Sequence, residues 1–202
     1  MFTATLRQDE INHNSHFRMQ FMQMCQVTGV DPLASGKSFW GELLGGMNDY
    51  YYELAVQAVD ICLRQRSRSG GLLKLSFVHD KIAERRSHYS QEVSSHDVEM
   101  AIGTLGVLGN GYKILHLKGQ ALVQSVPCEL SADHSQVLEL AEGEGYTTAE
   151  SLTGVLGWTQ PRVRAVLGLL LREGMAWVDD QAEGGVRYYF PSLWPQFNLL
   201  QE

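Results

Sequence analysis

The sequence has few cysteines and no long apolar segment. Its three cysteines, Cys25, Cys62 and Cys128, are far apart in a chain of 202 residues. This spacing indicates neither a disulfide framework nor a paired-cysteine zinc site. No uncharged apolar run approaches the ~18 residues of a membrane-spanning helix, and the first residues lack the apolar core of a signal peptide. We therefore expect a soluble, reduced, intracellular protein.

Positive charge is scarce in one part of the chain. The formal net charge is −7; residues 1–127 carry 12 cations and 12 anions, whereas residues 128–202 carry 4 cations and 11 anions. The acidic part should repel phosphate backbones and anionic lipid head groups. A solvated acidic face also simply aids solubility. The charge therefore constrains the partners of this chain without naming one.

Hydrophobic periodicity predicts a mainly helical chain that uses one order of elements twice. A helical N-terminal segment and loop over residues 1–46 precede two units, at residues 47–127 and 128–202, with the seam near Pro127. Each unit is predicted to contain three short helices followed by a β-hairpin, which is the order of a winged helix. The predicted fold class is therefore mainly α with small β-hairpins, as two tandem winged-helix domains after a helical N-terminal segment.

Polar capping residues and apolar spacing locate several helices. Ser15 is expected to cap an N-terminal helix, and Ser94 or Ser95 to cap the third helix of the first unit. In the second unit, a short helix is expected to direct Leu152 and Val155 inward.

No motif predicts catalysis, a cofactor or a metal. Gly36-Lys37-Ser38 resembles the end of a phosphate-binding loop, but Asp31 occupies the first glycine position of that motif and no convincing strand precedes it. The seven histidines form neither HExxH nor a Cys/His pair, and GxSxG is absent. We predict no catalytic, cofactor-binding or metal-binding residues. A catalytic site scattered along the chain stays open as an alternative, since triad members can be distant in sequence.

Sequence-specific DNA binding is the main alternative function. Winged helices commonly read the major groove with their third helix, which then needs Arg, Lys, Asn or Gln. The third helix of the first unit carries Asp97 and Glu99 and has no Lys or Arg. The corresponding helix of the second unit lies within a strongly acidic domain, although it offers Gln160, Arg162, Arg164 and Arg172. We therefore expect no nucleic-acid partner.

Aromatic residues crowd the C-terminal hairpin. Strand alternation places Tyr188 and Phe190 on one face and Tyr189 on the other. With Trp177 on the neighbouring strand, both faces of the hairpin are apolar. Tryptophan and tyrosine are enriched in protein interfaces. Two interpretations stay open: a partner-binding surface, or a well-filled core with a docked C-terminal segment.

Several uninterrupted motifs carry a resemblance to a known family. They are VDPLASGK at 30–37, FW at 39–40, YYEL at 51–54, QSVP at 124–127 with EL at 129–130, and EGMAWVD at 173–179. From about Phe17 to Glu202, the chain resembles the subunit-twenty-two family of the vacuolar protein sorting machinery, a component of the ESCRT-II complex.

The resemblance implies a non-catalytic scaffold for the sorting of ubiquitinated membrane cargo into multivesicular endosomes. It implies a Y-shaped heterotetramer with one copy of subunit thirty-six and two copies of the small subunit twenty-five, cytoplasmic and recruited peripherally to the endosome membrane. Family members usually begin with a basic helix and a coiled-coil stretch. This chain starts within or after that stretch, as a truncated or short form would, which puts membrane attraction by that helix in doubt.

The resemblance also implies a binding site for the small subunit. In the family, proline-aromatic segments of the small subunit enter the C-terminal winged helix, where an acidic residue pairs with an arginine. Asp179 is the expected carboxylate, and Asp180 beside it is the alternative. The expected apolar contacts are Trp177, Tyr188, Tyr189 and Trp194.

Overall fold

The computed structural model describes residues 14–28, 45–88, 92–109 and 111–194. Within these ranges the chain forms seven α-helices and two three-stranded antiparallel sheets. The predicted mainly helical class with small hairpins is confirmed. The start of the predicted N-terminal helix and the glycine-containing loop before residue 45 lie outside the described residues.

One helix and then the first winged-helix unit occupy the first half of the chain. The N-terminal helix is α1 (Ser15–Thr28). The unit consists of α2 (Gly45–Ser69), β1 (Leu72–Lys74), α3 (Leu75–Arg85), α4 (Ser95–Thr104), β2 (Lys113–His116) and β3 (Ala121–Gln124). The β2–β3 hairpin is the predicted wing, and β1 pairs with the far side of β3 to give the strand order β1-β3-β2.

The second unit repeats this arrangement in a shorter span. Its elements are α5 (Ala132–Ala141), β4 (Tyr146–Thr148), α6 (Ala149–Leu156), α7 (Gln160–Arg172), β5 (Trp177–Asp179) and β6 (Arg187–Tyr189). A 3₁₀ turn over Pro191–Leu193 follows. The strand order is β4-β6-β5, so β5 lies at an edge and β6 at the centre.

Local capping explains where α4 begins. The Ser94 Oγ accepts the Asp97 N–H at 3.2 Å, and the Asp97 carboxylate accepts the Ser94 N–H at 2.9 Å. This reciprocal pair satisfies two otherwise unpaired N–H groups, and it selects Ser94 over its neighbour as the cap of α4.

Two of the local expectations are wrong. Asn14 rather than Ser15 caps α1, because its Oδ1 accepts the N–H groups of His16 and Phe17. Val155, expected to face the core, is 67% exposed. Helix α6 has only two turns, so apolar spacing alone does not determine which of its sides is covered.

The first sheet lies between two hydrophobic cores. Leu73 and Val123 pack into the core of the first unit, whereas Leu72 and Leu122 pack into the core of the second. This follows from strand alternation, because successive side chains point to opposite faces of a sheet. The two units are therefore joined by a shared apolar sheet as well as by the chain between them.

A close backbone approach also joins the two units. Gly70 follows α2 with a φ of 67°, a region that glycine adopts at no steric cost. A Cβ at this position would lie against the carbonyl of Gly174 and the Cα of Met175 in the second unit. At the seam, the Gln124 side chain donates to the carbonyls of Val126 and Cys128 at 2.8 and 2.6 Å.

A buried ion pair fastens α1 to the first winged helix. The Arg18 guanidinium contacts both Asp97 carboxylate oxygens at 2.9 and 2.7 Å, and each side chain is 1% exposed. Tyr51 donates its hydroxyl to the same carboxylate at 3.1 Å. Burial alone would raise the pKa of Asp97, but the hydrogen bonds from Arg18 and Ser94 hold it below its ordinary value.

Candidate functional site

The candidate site lies on one face of the second sheet. Strand pairing aligns Tyr146, Tyr189 and Trp177 in one row across β4, β6 and β5. The adjacent row on the same face contains Arg187 and Asp179, which are directly opposite each other on β6 and β5. The face therefore combines an aromatic row with a row that contains one cation and one carboxylate.

A groove of about 390 Å³ runs along this edge of the domain. Trp177 is 51% exposed and Trp194 is 42% exposed, so two tryptophans present large apolar surfaces to solvent. The groove is lined by Trp177, Val178, Asp179, Tyr189, Phe190, Pro191 and Trp194. Four of the five residues predicted for partner binding therefore line one groove.

The end of α7 directs Trp177 outward. Gly174 follows the helix with a φ of 76°, and the N–H groups of Met175 and Ala176 both donate to the Leu170 carbonyl. Met175 and Ala176 are buried in the core. The next residue, Trp177, starts the edge strand on the opposite, exposed side.

A 3₁₀ turn brings Trp194 back towards the sheet. Pro191 starts this turn and accepts the Trp194 N–H at 3.2 Å. Gly145 makes the approach possible, because a Cβ there would lie only 2.9 Å from the Trp194 Cα. The Gly145 carbonyl also accepts the Phe190 N–H at 2.8 Å. Sequence reasoning missed Pro191 and Phe190 as lining residues, although their position between Tyr189 and Trp194 could have indicated them.

Tyr188, the fifth predicted residue, faces the other way. It pairs across the sheet with Thr147 and Val178, and Thr147 is buried. Tyr188 packs against the core of the second unit. Its side chain therefore belongs to the inner face of the sheet, and the structure does not bring it into the groove.

Arg187 is held by the hairpin and by an aromatic ring. Its Cζ lies 4.9 Å from the centroid of the Tyr146 ring, and its Nη2 donates to the Glu183 carbonyl at 3.2 Å. Hydrogen bonding with Tyr189 contributes most to raising the pKa of Arg187 above its ordinary value. The Tyr146 and Tyr189 rings are 5.2 Å apart. Sequence reasoning missed both Tyr146 and Arg187, whose role depends on strand register.

The Asp179 carboxylate is oriented by its own turn. Its Oδ1 accepts the Gln181 N–H at 2.9 Å, which directs the side chain at the edge of the groove. Among the ion pairs of the described residues, none joins Asp179 to Arg187.

One charged residue on each third helix is engaged within the fold and does not face a DNA groove. On α4, Asp97 is buried against Arg18. On α7, Arg162 contacts Asp133 through two hydrogen bonds of 2.9 and 2.7 Å, and its Cζ lies 4.4 Å from the Trp158 ring. A guanidinium engaged in this way contributes to the fold of its own domain.

No arrangement for metal chemistry is present in the part of the chain that the structure describes. No three His, Cys, Asp or Glu side chains converge there in a way that could hold a metal ion.

Comparison with known proteins gives a consistent relationship. The sequence profile of the EAP30/Vps36 family matches residues 3–180. The chain is 46% identical over 190 residues to the vacuolar-sorting protein SNF8 of Xenopus tropicalis. The matched region covers 94% of this chain and 74% of that protein. It is 43% identical over 191 residues to the vacuolar protein sorting-associated protein 22 homolog 1 of Arabidopsis thaliana, which covers 94% of this chain and 76% of the relative.

Two solved structures are similar over nearly the whole chain. A chain in the structure of the ESCRT-II endosomal trafficking complex superimposes with a TM-score of 0.70 at 29% identity, covering 95% of this chain and 86% of that one. A chain in the crystal structure of the endosomal complex ESCRT-II (VPS22/VPS25/VPS36) gives a TM-score of 0.68 at 28% identity. The match covers 95% of this chain and 85% of that one.

Proposed function

Because this chain belongs to the EAP30/Vps36 family, we propose that it works as the SNF8/VPS22-type subunit of ESCRT-II in vacuolar sorting. It is a non-catalytic subunit, as its relatives are, and its partners are the VPS25-type and VPS36-type subunits named with VPS22 in the similar complex. The DNA-binding alternative is not favoured, since the relatives are sorting proteins and Arg162 is engaged within its own domain.

The observation that carries a scaffold role is the exposed aromatic groove beside β5. Interfaces concentrate binding energy in a few Trp, Tyr and Arg residues that become fully buried in the complex. Trp177 and Trp194 are about half exposed and sit next to the Asp179 carboxylate. Such a groove suits a segment with an apolar anchor and a neighbouring cation. We assign it to the VPS25-type subunit, with Trp177, Asp179, Tyr189 and Trp194 as contacts.

The finer assembly is part of the same proposal. One copy of this chain joins one VPS36-type subunit and two VPS25-type subunits, and the complex is recruited peripherally to endosomes. Every helix that the structure describes is too short or too polar to cross a membrane. We place the domain boundaries at residues 47–127 and 128–202 after the N-terminal segment of residues 1–46; α2 begins just before the first boundary, at Gly45.

Charge reversal at Asp179 tests the site. Asp179→Lys should weaken binding of the VPS25-type subunit about tenfold, because a cation then faces the cation of the partner across a short distance. The measurement is calorimetric titration of the purified VPS25-type subunit into the full chain.

The matched controls make the same charge change nearby. Asp180→Lys and Glu183→Lys alter exposed carboxylates of the same hairpin that do not line the groove, and both should bind as the unmodified chain does. Equal losses for all three variants would indicate a general charge effect and contradict the assignment of Asp179. A loss confined to Asp180→Lys would move the contact to that neighbour.

A further inference from the structure

The Arg187 side chain lies between two competing neighbours. It is on the central strand β6, with Asp179 directly opposite on the edge strand β5. On the other side is β4, whose Tyr146 ring lies 4.9 Å below the guanidinium carbon. Oppositely charged residues that face each other across strands attract, so Asp179 is a natural partner for Arg187. The guanidinium nevertheless lies over Tyr146.

The contact of Arg187 with the Tyr146 ring and an ion pair of Arg187 with Asp179 are similar in strength. A cation over an exposed aromatic ring and a cross-strand ion pair each change an equilibrium constant only by a few fold. Removing the Tyr146 ring therefore leaves Asp179, directly opposite on β5, as the oppositely charged contact for Arg187. The hydrogen bond from Nη2 to the Glu183 carbonyl ties one guanidinium nitrogen to the β5–β6 turn, so the choice between Tyr146 and Asp179 concerns the rest of the guanidinium.

One neighbouring ring and one carboxylate contact Tyr146. Its ring packs at 5.2 Å against Tyr189, the groove residue in the same row. Hydrogen bonding with Glu144, two residues earlier in the chain, contributes most to raising the pKa of Tyr146 above its ordinary value. The ring pair of Tyr146, which lies beneath Arg187, and Tyr189 is therefore already formed in the chain without its partner.

We propose that Tyr146 is a positioning residue for the partner-binding groove: it holds Arg187 on the β4 side of the sheet and so leaves the Asp179 carboxylate available to a cation of the VPS25-type subunit. This inference rests on the proposed function. Tyr146 itself does not line the groove. Without its ring, Arg187 pairs with Asp179 and competes with the cation of the partner.

A double-mutant cycle separates this role from simple packing. We expect Tyr146→Ala to weaken binding of the purified VPS25-type subunit to the full chain about threefold to fivefold. In an Arg187→Ala background the same Tyr146→Ala change should have no further effect, because the competitor is gone. Tyr146→Phe keeps the ring and should retain the affinity. Equal losses from Tyr146→Ala in both backgrounds would overturn the proposal, since Tyr146 would then act by packing or direct contact.

A second measurement needs no partner. In full chain labelled with ¹⁵N arginine, the shift of the Arg187 Nε–H resonance on Asp179→Asn should be clearly larger when Tyr146→Ala is also present. A shift of the same size with Tyr146 intact, or no shift in either background, would overturn the inference. If the VPS25-type subunit binds none of these chains, the proposed function fails, and the resonance still decides whether Tyr146 controls Arg187.

Discussion

Replacement of Arg18 by leucine is expected to lower the free energy of unfolding by about 3–5 kcal/mol. The reason is the uncompensated charge that remains: the Asp97 side chain is 1% exposed and loses both contacts with the guanidinium. Urea unfolding of the full chain, followed by circular dichroism, measures the loss. Arg64→Leu is the matched control, because the Arg64–Asp60 pair is exposed, and removing it should cost about 0–1 kcal/mol.

A second variant keeps this prediction decisive if the first does not fold. Arg18→Leu combined with Asp97→Asn removes the buried negative charge, and it should be more stable than Arg18→Leu alone. Similar losses for Arg18→Leu and Arg64→Leu would show that the buried pair does not anchor α1.

The Arg18–Asp97 pair should also make the stability of the fold sensitive to acid. The folded chain holds the pKa of Asp97 below its ordinary value, so the unfolded chain binds the proton more readily. Asp97 contributes fully to the free energy of unfolding above about pH 4, the ordinary pKa range of aspartate. This contribution is lost as the pH falls through the lower pKa that Asp97 has in the folded chain. Arg18→Leu should therefore flatten the dependence of stability on pH in this acid range.

Truncation of Trp177 should have the largest effect on assembly. We expect Trp177→Ala to weaken binding of the VPS25-type subunit by about 2 kcal/mol or more, roughly thirtyfold, as for a central tryptophan of an interface. Because the side chain is 51% exposed in the free chain, the stability of the chain itself should change much less. Titration calorimetry and urea unfolding of the same variant measure the two effects separately.

Val155→Ala is the control for exposed apolar surface. Val155 is 67% exposed in the same domain but lies outside the groove, so its truncation should leave binding unchanged. If Trp177→Ala binds as tightly as Val155→Ala, the groove is not the contact.

Local features of the fold could be predicted because their partners are close in sequence. The Ser94–Asp97 capping pair spans three residues, and Gly174 ends α7 where the apolar stripe stops. The buried positions of α2, α3 and α7 also follow from helical spacing. The sequence pattern thus carries the winged-helix order twice, and the structure has that order.

Contacts between distant residues could not be predicted in this way. Arg18 and Asp97 are 79 positions apart, and nothing near Asp97 distinguishes a buried acid from a surface one. Leu72 and Leu122 belong to the first unit by sequence but to the second core by packing. Such assignments depend on which face another element covers.

The candidate site shows the same division. Alternation correctly separates Tyr188 from Tyr189, but it does not say which of the two faces inward. In the structure Tyr188 is the residue that faces inward, because it lies beside the buried Thr147 on the neighbouring strand. The positions of Tyr146 and Arg187 required the strand register, which no pattern within a single strand supplies.

Membership in ESCRT-II is tested most directly by the mass of the assembled species. The chain is co-expressed with the VPS25-type and VPS36-type subunits of the same organism, and the purified product is measured by native mass spectrometry. A complex with one copy of this chain, one VPS36-type subunit and two VPS25-type subunits is the predicted result. A monodisperse monomer that binds neither partner would contradict the assignment.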